Sequence, residues 1–352
     1  MAGALATSHL LTGSRLAGVD LARGLAVLGM LSAHLLAIEA FDPDAPETWI
    51  DIVNGRSSIL FAVLAGVSLA LISGGATPVA GERLRIVRGR TAVRSAVLWT
   101  IGIALIVTGV PVYVILPAYA ILFLLALPFL RLRTPALWTI AAALALTMPL
   151  LQPALNEIVA RAGADVELML GWHYPFTLWL AFVLAGLAAG RSDLRRVRTQ
   201  VALVAAGVGL AVVGYGAVAL WPADGPGWVG EVWTDRAHSG GLPEVLGSGG
   251  VALAVIGASL LVCRTPFAWL LIPIRAVGSM PLTAYVGQLL AWAVIAAIVL
   301  GDTGDLGGFR ALDLLGAFVL TTLVGCTAWA LLLGRGPIER GVAWIARTLV
   351  RR

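Results

Sequence analysis

The stretch Arg15–Phe41, RLAGVDLARGLAVLGMLSAHLLAIEAF, decides the fold. It is apolar for long enough to cross a bilayer, yet it carries Asp20, Arg23 and His34. On a helix advancing roughly 100° per residue, the step from Arg23 to His34 returns to within roughly 20° of the same face and climbs about 16 Å. Asp20 lies one turn before Arg23, near the same stripe. One face of this first helix therefore presents an acid–base pair at one end and an imidazole toward the other. Ionisable groups at membrane depth are costly, face a bundle interior or wet cavity, and are functional candidates by default.

Composition agrees with a membrane reading. The 352 residues are 59% hydrophobic and 12% charged, against about a quarter charged in soluble domains, and the mean hydropathy is +0.94. All 24 basic residues are Arg. They sit in short interhelical segments, so the pI near 9.9 points to no nucleic acid. The first apolar segment is too long for a cleavable signal and reads as a retained helix. Cys263 and Cys326 fall in or beside apolar spans, which argues against a structural disulfide, and no metal site is expected.

Apolar runs of about 20 residues predict an all-α polytopic membrane bundle of ten helices, near 18–40, 57–75, 92–110, 112–130, 135–152, 174–190, 200–221, 248–263, 279–300 and 311–333. The Arg distribution sets both termini inside. Twenty Arg fall in inner segments, including Arg83, Arg85, Arg88, Arg90, Arg191, Arg264 and Arg275, against Arg56, Arg161, Arg236 and Arg310 outside. Acids mirror this, with Asp42, Asp44, Glu47 and Asp51 in one outer loop and Asp224, Glu231, Asp235 and Glu244 in another. Residues 1–334 read as one domain. Residues 335–352 read as a basic amphipathic helix on the inner surface, with Pro337 at its first position and Glu339 in its first turn. The chain is expected in the bacterial cytoplasmic membrane as a multi-pass protein with the lipid bilayer as partner, and a homo-oligomer stays open.

Several other residues could carry chemistry. Arg23 held by Asp20 suits phosphate through its planar fork, and the pair could equally be a neutralised helix start. His34 is too deep to reach the surface on so short a side chain. It is either interhelical glue or a proton-transfer group. Asn54, Arg56, Ser57 and Ser58 form a polar knot at the start of the second helix, and Ser57 has no His/Asp companion in sequence. Arg275, Tyr285 and Gln288 lie along the ninth helix and its entry, as helix-to-helix glue or as the lining of a passage. Trp172, His173, Trp228, Trp233 and His238 occupy two long outer loops, as interfacial anchors or as the wall of a sugar site. Small residues at four-residue spacing, Ala62, Gly66 and Ala70 or Gly186 and Gly190, read as close helix packing.

The string VDLARGLAVLGMLSAH, with an Asp, then an Arg, ten residues and a His, resembles the first-helix signature of acyltransferase-3 membrane proteins. NGRSSILFAVLAGVSLAL is similar to the second-helix segment of bacterial relatives of heparan-α-glucosaminide N-acetyltransferase. AVGSMPLTAYVGQ and GPIE resemble the closing signatures of YeiB-like proteins. These motifs lie within residues 15–75 and 275–340. The resemblance implies transfer of an acyl group, acetyl above all, from cytoplasmic acyl-CoA to an extracytoplasmic sugar or cell-envelope glycan. It also implies a CoA-side role for Arg23 and a catalytic role for His34. The heparan enzyme's essential loop histidine has no counterpart in Leu35–Arg56, so His34 must serve. The expected site is thus His34, Asp20 and Arg56 for catalysis; Arg23, Arg275, Tyr285 and Gln288 for acyl-CoA; and Asn54, Ser57, Trp172 and His173 for the acceptor. The rival classes are a transporter or flippase using Arg23 and His34 as a substrate or proton site, and a non-catalytic membrane scaffold.

Overall fold

A computed structural model describes residues 15–222 and 227–351, which leaves Asp224 outside the described residues. These are helical throughout, with no strand among them: α1 (Ala17–Leu35), α2 (Arg56–Ile72), α3 (Gly81–Val107), α4 (Leu116–Ala126), α5 (Thr134–Ala162), α6 (Ala164–Leu170), α7 (Phe176–Arg191), α8 (Val197–Leu220), α9 (Trp228–Val232), α10 (Leu242–Val262), α11 (Ile272–Ser279), α12 (Pro281–Val299), α13 (Leu306–Ala311), α14 (Leu315–Leu332) and α15 (Pro337–Leu349). Each of the ten expected segments holds a helix. Seven helical segments, those ending in α2, α3, α5, α8, α10, α12 and α14, are long and apolar enough to cross a membrane. The chain is an all-α polytopic membrane protein.

Several boundaries differ from expectation. α1 stops at Leu35 instead of residue 40, and the acidic segment after it winds into a 3₁₀ helix, Pro46–Val53. There Thr48 Oγ1 donates to the Ala45 carbonyl and accepts the Asp42 N–H, each at 2.8 Å. α3 starts at Gly81, so Arg83, Arg85, Arg88 and Arg90 are helical rather than loop. Its 27 residues span about 40 Å, more than the roughly 30 Å hydrocarbon core, and its Arg-bearing end projects past the apolar part. α5 runs ten residues beyond its expected end, through Pro149 and Pro153. Proline is tolerated inside membrane helices, where neighbouring groups re-satisfy the freed carbonyls.

The described residues form two compact units. One comprises residues up to Ser58, Ala104–Val112 and Ser259–Trp344; the other comprises Ile59–Ile103, Tyr113–Ala258 and Ile345–Arg352. In the first unit α1 packs on α11, α12 and α14. Glycines let the backbones touch: a Cβ on Gly18 would lie 2.6 Å from Leu260 N, and one on Gly278 would lie 2.6 Å from Gly24 N. The GPIE segment is a clamp on the start of α12. Glu339 accepts the N–H groups of Leu282 (2.8 Å) and Thr283 (3.0 Å) and the Thr283 hydroxyl (2.5 Å). Its carboxylate thus satisfies orphan donors of a helix 56 residues away as well as facing its own helix start.

In the second unit α7 packs on α4 and α5. A Cβ on Gly66 of α2 would lie 2.7 Å from Leu187 N, while Gly186 meets Val63 and Gly190 meets Ala70. The small-residue stripes are therefore close helix contacts, as read. Arg191, expected only as an inner-loop cation, is 3% exposed. Its guanidinium donates to the carbonyls of Ser73 (3.2 Å), Gly75 (2.7 Å) and Leu130 (2.6 Å), and to Ser73 Oγ (2.8 Å). A cation at these helix-end carbonyls satisfies them and meets the negative end of the α2 dipole.

Candidate functional site

The first unit gathers the stripe of α1. Asp20, 6% exposed, accepts from Arg15 Nε and Nη2, each at 3.0 Å, and from Arg23 Nη1 at 3.1 Å. Arg23 Nη1 also donates to the Gly278 carbonyl at 3.0 Å. The bare glycine is what lets α11 approach α1 here, since a Cβ on Gly278 would lie 2.6 Å from Gly24 N. Arg275, one turn earlier on α11, is buried and donates to the Ala268 carbonyl at 3.0 Å. Asp20 thus ties two guanidiniums together, and Arg275 stands one turn from the Gly278 whose carbonyl Arg23 holds. Arg15 was missed from sequence, although an Arg five residues before an Asp on a predicted helix start was the available signal.

Further along α1, His34 Nδ1 lies 3.2 Å from Gln288 Nε2 of α12. The Tyr285 ring stands edge-on to the imidazole, centroids 6.5 Å apart. Arg310 Nη2 donates to the His34 carbonyl at 3.4 Å, placing a cation at the C-terminus of α1. One turn beyond Gln288, Trp292 stacks on Phe309, with centroids 4.2 Å apart and planes 8° apart. Gln288 Oε1 and Trp292 Nε1 are both buried without a hydrogen-bond partner. Of the residues expected to line an acyl-CoA path, Tyr285 and Gln288 thus come together on His34, and Arg275 comes to the Arg23 end.

The polar knot closes on an acid instead. Arg56 Nη1 donates to the Asp51 carbonyl at 2.8 Å and lies 3.5 Å from its Oδ2, while Asn54 Nδ2 donates to Asp51 Oδ1 at 3.1 Å. Ser57 packs against Gly29 of α1, where a Cβ would lie 3.0 Å from Ser57 Cβ.

The second unit gathers the aromatic residues. His173 stacks on Tyr113, centroids 3.7 Å apart and planes 4° apart, and His238 lies 4.5 Å away. Burial pushes the His238 imidazole down to about 4. Burial, and then its neighbour His238, push His173 down to about 3. Both rings are neutral at physiological pH. His238 sits at φ +63°, a left-handed conformation uncommon for a non-glycine residue. Glu244, buried, holds that turn closed: its oxygens accept the His238 N–H (2.6 Å), the Gly240 N–H (2.7 Å) and the Ser239 hydroxyl (3.0 Å). Trp172 Nε1 donates to Asn156 Oδ1 at 3.0 Å, and Gln152 Nε2 reaches the same oxygen at 2.7 Å. Trp228 and Trp233 spend their N–H groups elsewhere, on the carbonyls of Leu150 and Trp221.

Residues 15–221 match the family described as heparan-alpha-glucosaminide N-acetyltransferase, catalytic. Residues 190–352 match a second family, described as Protein of unknown function (DUF418). No curated protein matches the chain. The first match contains Asp20, Arg23, His34, Asn54, Arg56, Ser57, Trp172 and His173, and the second contains Arg275, Tyr285, Gln288 and Glu339. With well over half of its length under the catalytic-domain match, the chain belongs to the heparan-alpha-glucosaminide N-acetyltransferase catalytic family.

Proposed function

We propose that this protein is a membrane acyltransferase that moves an acyl group, acetyl in the simplest case, from cytoplasmic acyl-CoA to a hydroxyl or amine of an extracytoplasmic sugar or cell-envelope glycan. The observation that carries the reading is the stripe of α1: a two-Arg, one-Asp cluster at its first turns, and a histidine held by an amide eleven residues on. A cluster of guanidiniums suits the phosphates of CoA, which Arg binds through two parallel donors. A pantetheine arm running along α1 then covers the roughly 16 Å to His34.

His34 acts on the acceptor as a general base. Its imidazole takes the proton of the acceptor hydroxyl or amine while the freed oxygen or nitrogen bonds to the thioester carbonyl carbon. The C–S bond then breaks, its electron pair leaves with the CoA sulfur, and the imidazolium returns the proton to that sulfur. This needs Nε2 unprotonated and Nδ1 carrying hydrogen. Gln288 supplies the matching acceptor when its amide turns Oε1, the atom without a partner, toward Nδ1. Amide orientation and histidine tautomer are assigned together. Gln288 is thus a positioning residue and Tyr285 packs the ring. Asn54, Arg56 and Ser57 stand on the acceptor side of α1.

The test is transfer of label from radiolabelled acetyl-CoA by purified protein in nanodiscs, with and without cell-envelope glycans. Label appearing in glycan with stoichiometric CoA release supports the reading. CoA that neither binds nor is released, with proton-coupled uptake of a solute instead, returns the chain to the transporter class.

A further inference from the structure

Two cavities of the second unit share helix α5. The larger, about 290 Å³, is lined by apolar residues, among them Trp138, Ala141 and Ala145 of α5, Phe182 of α7 and Leu253 of α10. The smaller, about 110 Å³, is polar, lined by Gln152 and Asn156 of α5, Glu231 of α9, and Thr234, Arg236 and Ser239 of the following loop. Ala145 and Gln152 are seven residues apart, and Ala145 and Asn156 eleven. Both spacings return to within roughly 20° of one helix face, with Gln152 about 10 Å further along the axis. One stripe of α5 therefore runs from a hydrocarbon-lined groove into a hydrogen-bonding cleft. The cleft is at the end of α5 that the Arg distribution sets outside.

The polar groups select the head. Asn156 Oδ1 is committed to Gln152 and Trp172, which leaves its amide nitrogen as a donor. Arg236 makes a 3.4 Å contact to Thr234 Oγ1, and Glu231 lines the opposite sign of charge into the same cleft. One cation offset by one carboxylate, with the Asn156 amide beside them, matches an uncharged polyhydroxyl group better than a phosphate. We propose that the second unit binds a glycolipid, with its sugar head in the Gln152–Asn156 cleft and its hydrocarbon chain in the Trp138–Ala145 groove. Resting on the acyltransferase reading, this makes the acceptor a lipid-linked sugar.

The full chain in phosphatidylcholine nanodiscs would be photolabelled with a dodecyl glucoside carrying a diazirine at the chain end, and the labelled peptides mapped. Label should fall in Trp138–Leu146 or Val245–Leu253 and be competed by unlabelled dodecyl glucoside but not by dodecylphosphocholine. The exposed double variant Asn156→Ala, Glu231→Ala should lose about tenfold in labelling, the worth of one or two hydrogen bonds. Ala145→Trp should block the groove, and the exposed pair keeps the test decisive if that variant does not fold. Equal competition by dodecylphosphocholine, or labelling indifferent to the double variant, would overturn the proposal and leave a generic lipid crevice. Labelling requires no acyl transfer, so its failure is distinguishable from failure of the acyltransferase reading.

Discussion

Gln288 of α12 holds His34 of α1 at 3.2 Å, Nε2 to Nδ1, across 254 residues of sequence. The contact fixes the one histidine of the α1 stripe to a side chain able to serve either tautomer. Gln288→Leu, which keeps bulk and removes both polar atoms, should lower turnover about tenfold while leaving the KM for acyl-CoA unchanged. Gln288→Glu, still an acceptor for Nδ1–H, should retain more turnover than the Leu variant. Equal losses in the two variants, or a raised KM with unchanged kcat, would mark a purely structural contact.

Asp20 is shared by Arg15, 28% exposed at its side chain, and Arg23, 15% exposed. Asp20→Asn removes the carboxylate that the two half-buried guanidiniums share, and losing hydrogen bonds to a charged group costs about 1–3 kcal/mol. Arg15→Gln removes the more exposed partner and should cost under about 1 kcal/mol. Thermal unfolding in a fixed detergent compares them, and a larger loss for the Arg15 variant would contradict the arrangement.

Much of this site was legible because it is local. Asp20, Arg23 and His34 share a stripe by helix geometry alone, and the small residues of α2 and α7 showed their packing faces. The partners were not legible. Gly278 and Gln288 meet α1 only through tertiary packing, and a lone polar residue in an apolar run names no partner. Helix ends failed for physical reasons: α3 extends past its apolar part along an Arg-bearing end, and α5 continues through Pro149 and Pro153. Arg191 read as a loop cation because most of its partners are backbone carbonyls, which any sequence offers.

Glu339 caps α12 through the Leu282 and Thr283 amides. Glu339→Ala should destabilise by about 1–3 kcal/mol, the cost of stranding helix-start donors, and speed hydrogen exchange at those two amides. Glu339→Gln keeps an acceptor oxygen and should lose less. Unchanged exchange in both variants would show that the clamp does not hold the helix start.

His173 and His238 give the second unit a defined acid response. Their folded values, about 3 and about 4, lie below the unfolded value of about 6.5. Between these limits the unfolded chain binds more protons, so stability is full above pH ~6.5 and falls as pH drops through the window. At about 1.4 kcal/mol per pKa unit, the loss attributable to His238 is on the order of 3 kcal/mol, complete below pH ~4. Melting followed by tryptophan fluorescence from pH 7 to 4 should show it. His173→Phe, which keeps the stack on Tyr113, should flatten the slope, and an unaltered slope would remove His173 from the response.

If His34 performs chemistry while Arg23 holds the donor, the two separate in one paired measurement: acetyl-CoA affinity and acyl-transfer turnover of His34→Asn beside Arg23→Lys. His34→Asn nearly preserves size and one hydrogen bond. It should bind acetyl-CoA like the parent and lose transfer by about 10²–10⁴, the contribution of one general base. Arg23→Lys keeps the charge without the planar fork, so it should weaken acetyl-CoA binding and retain turnover at saturating donor. Full transfer by His34→Asn would contradict the account.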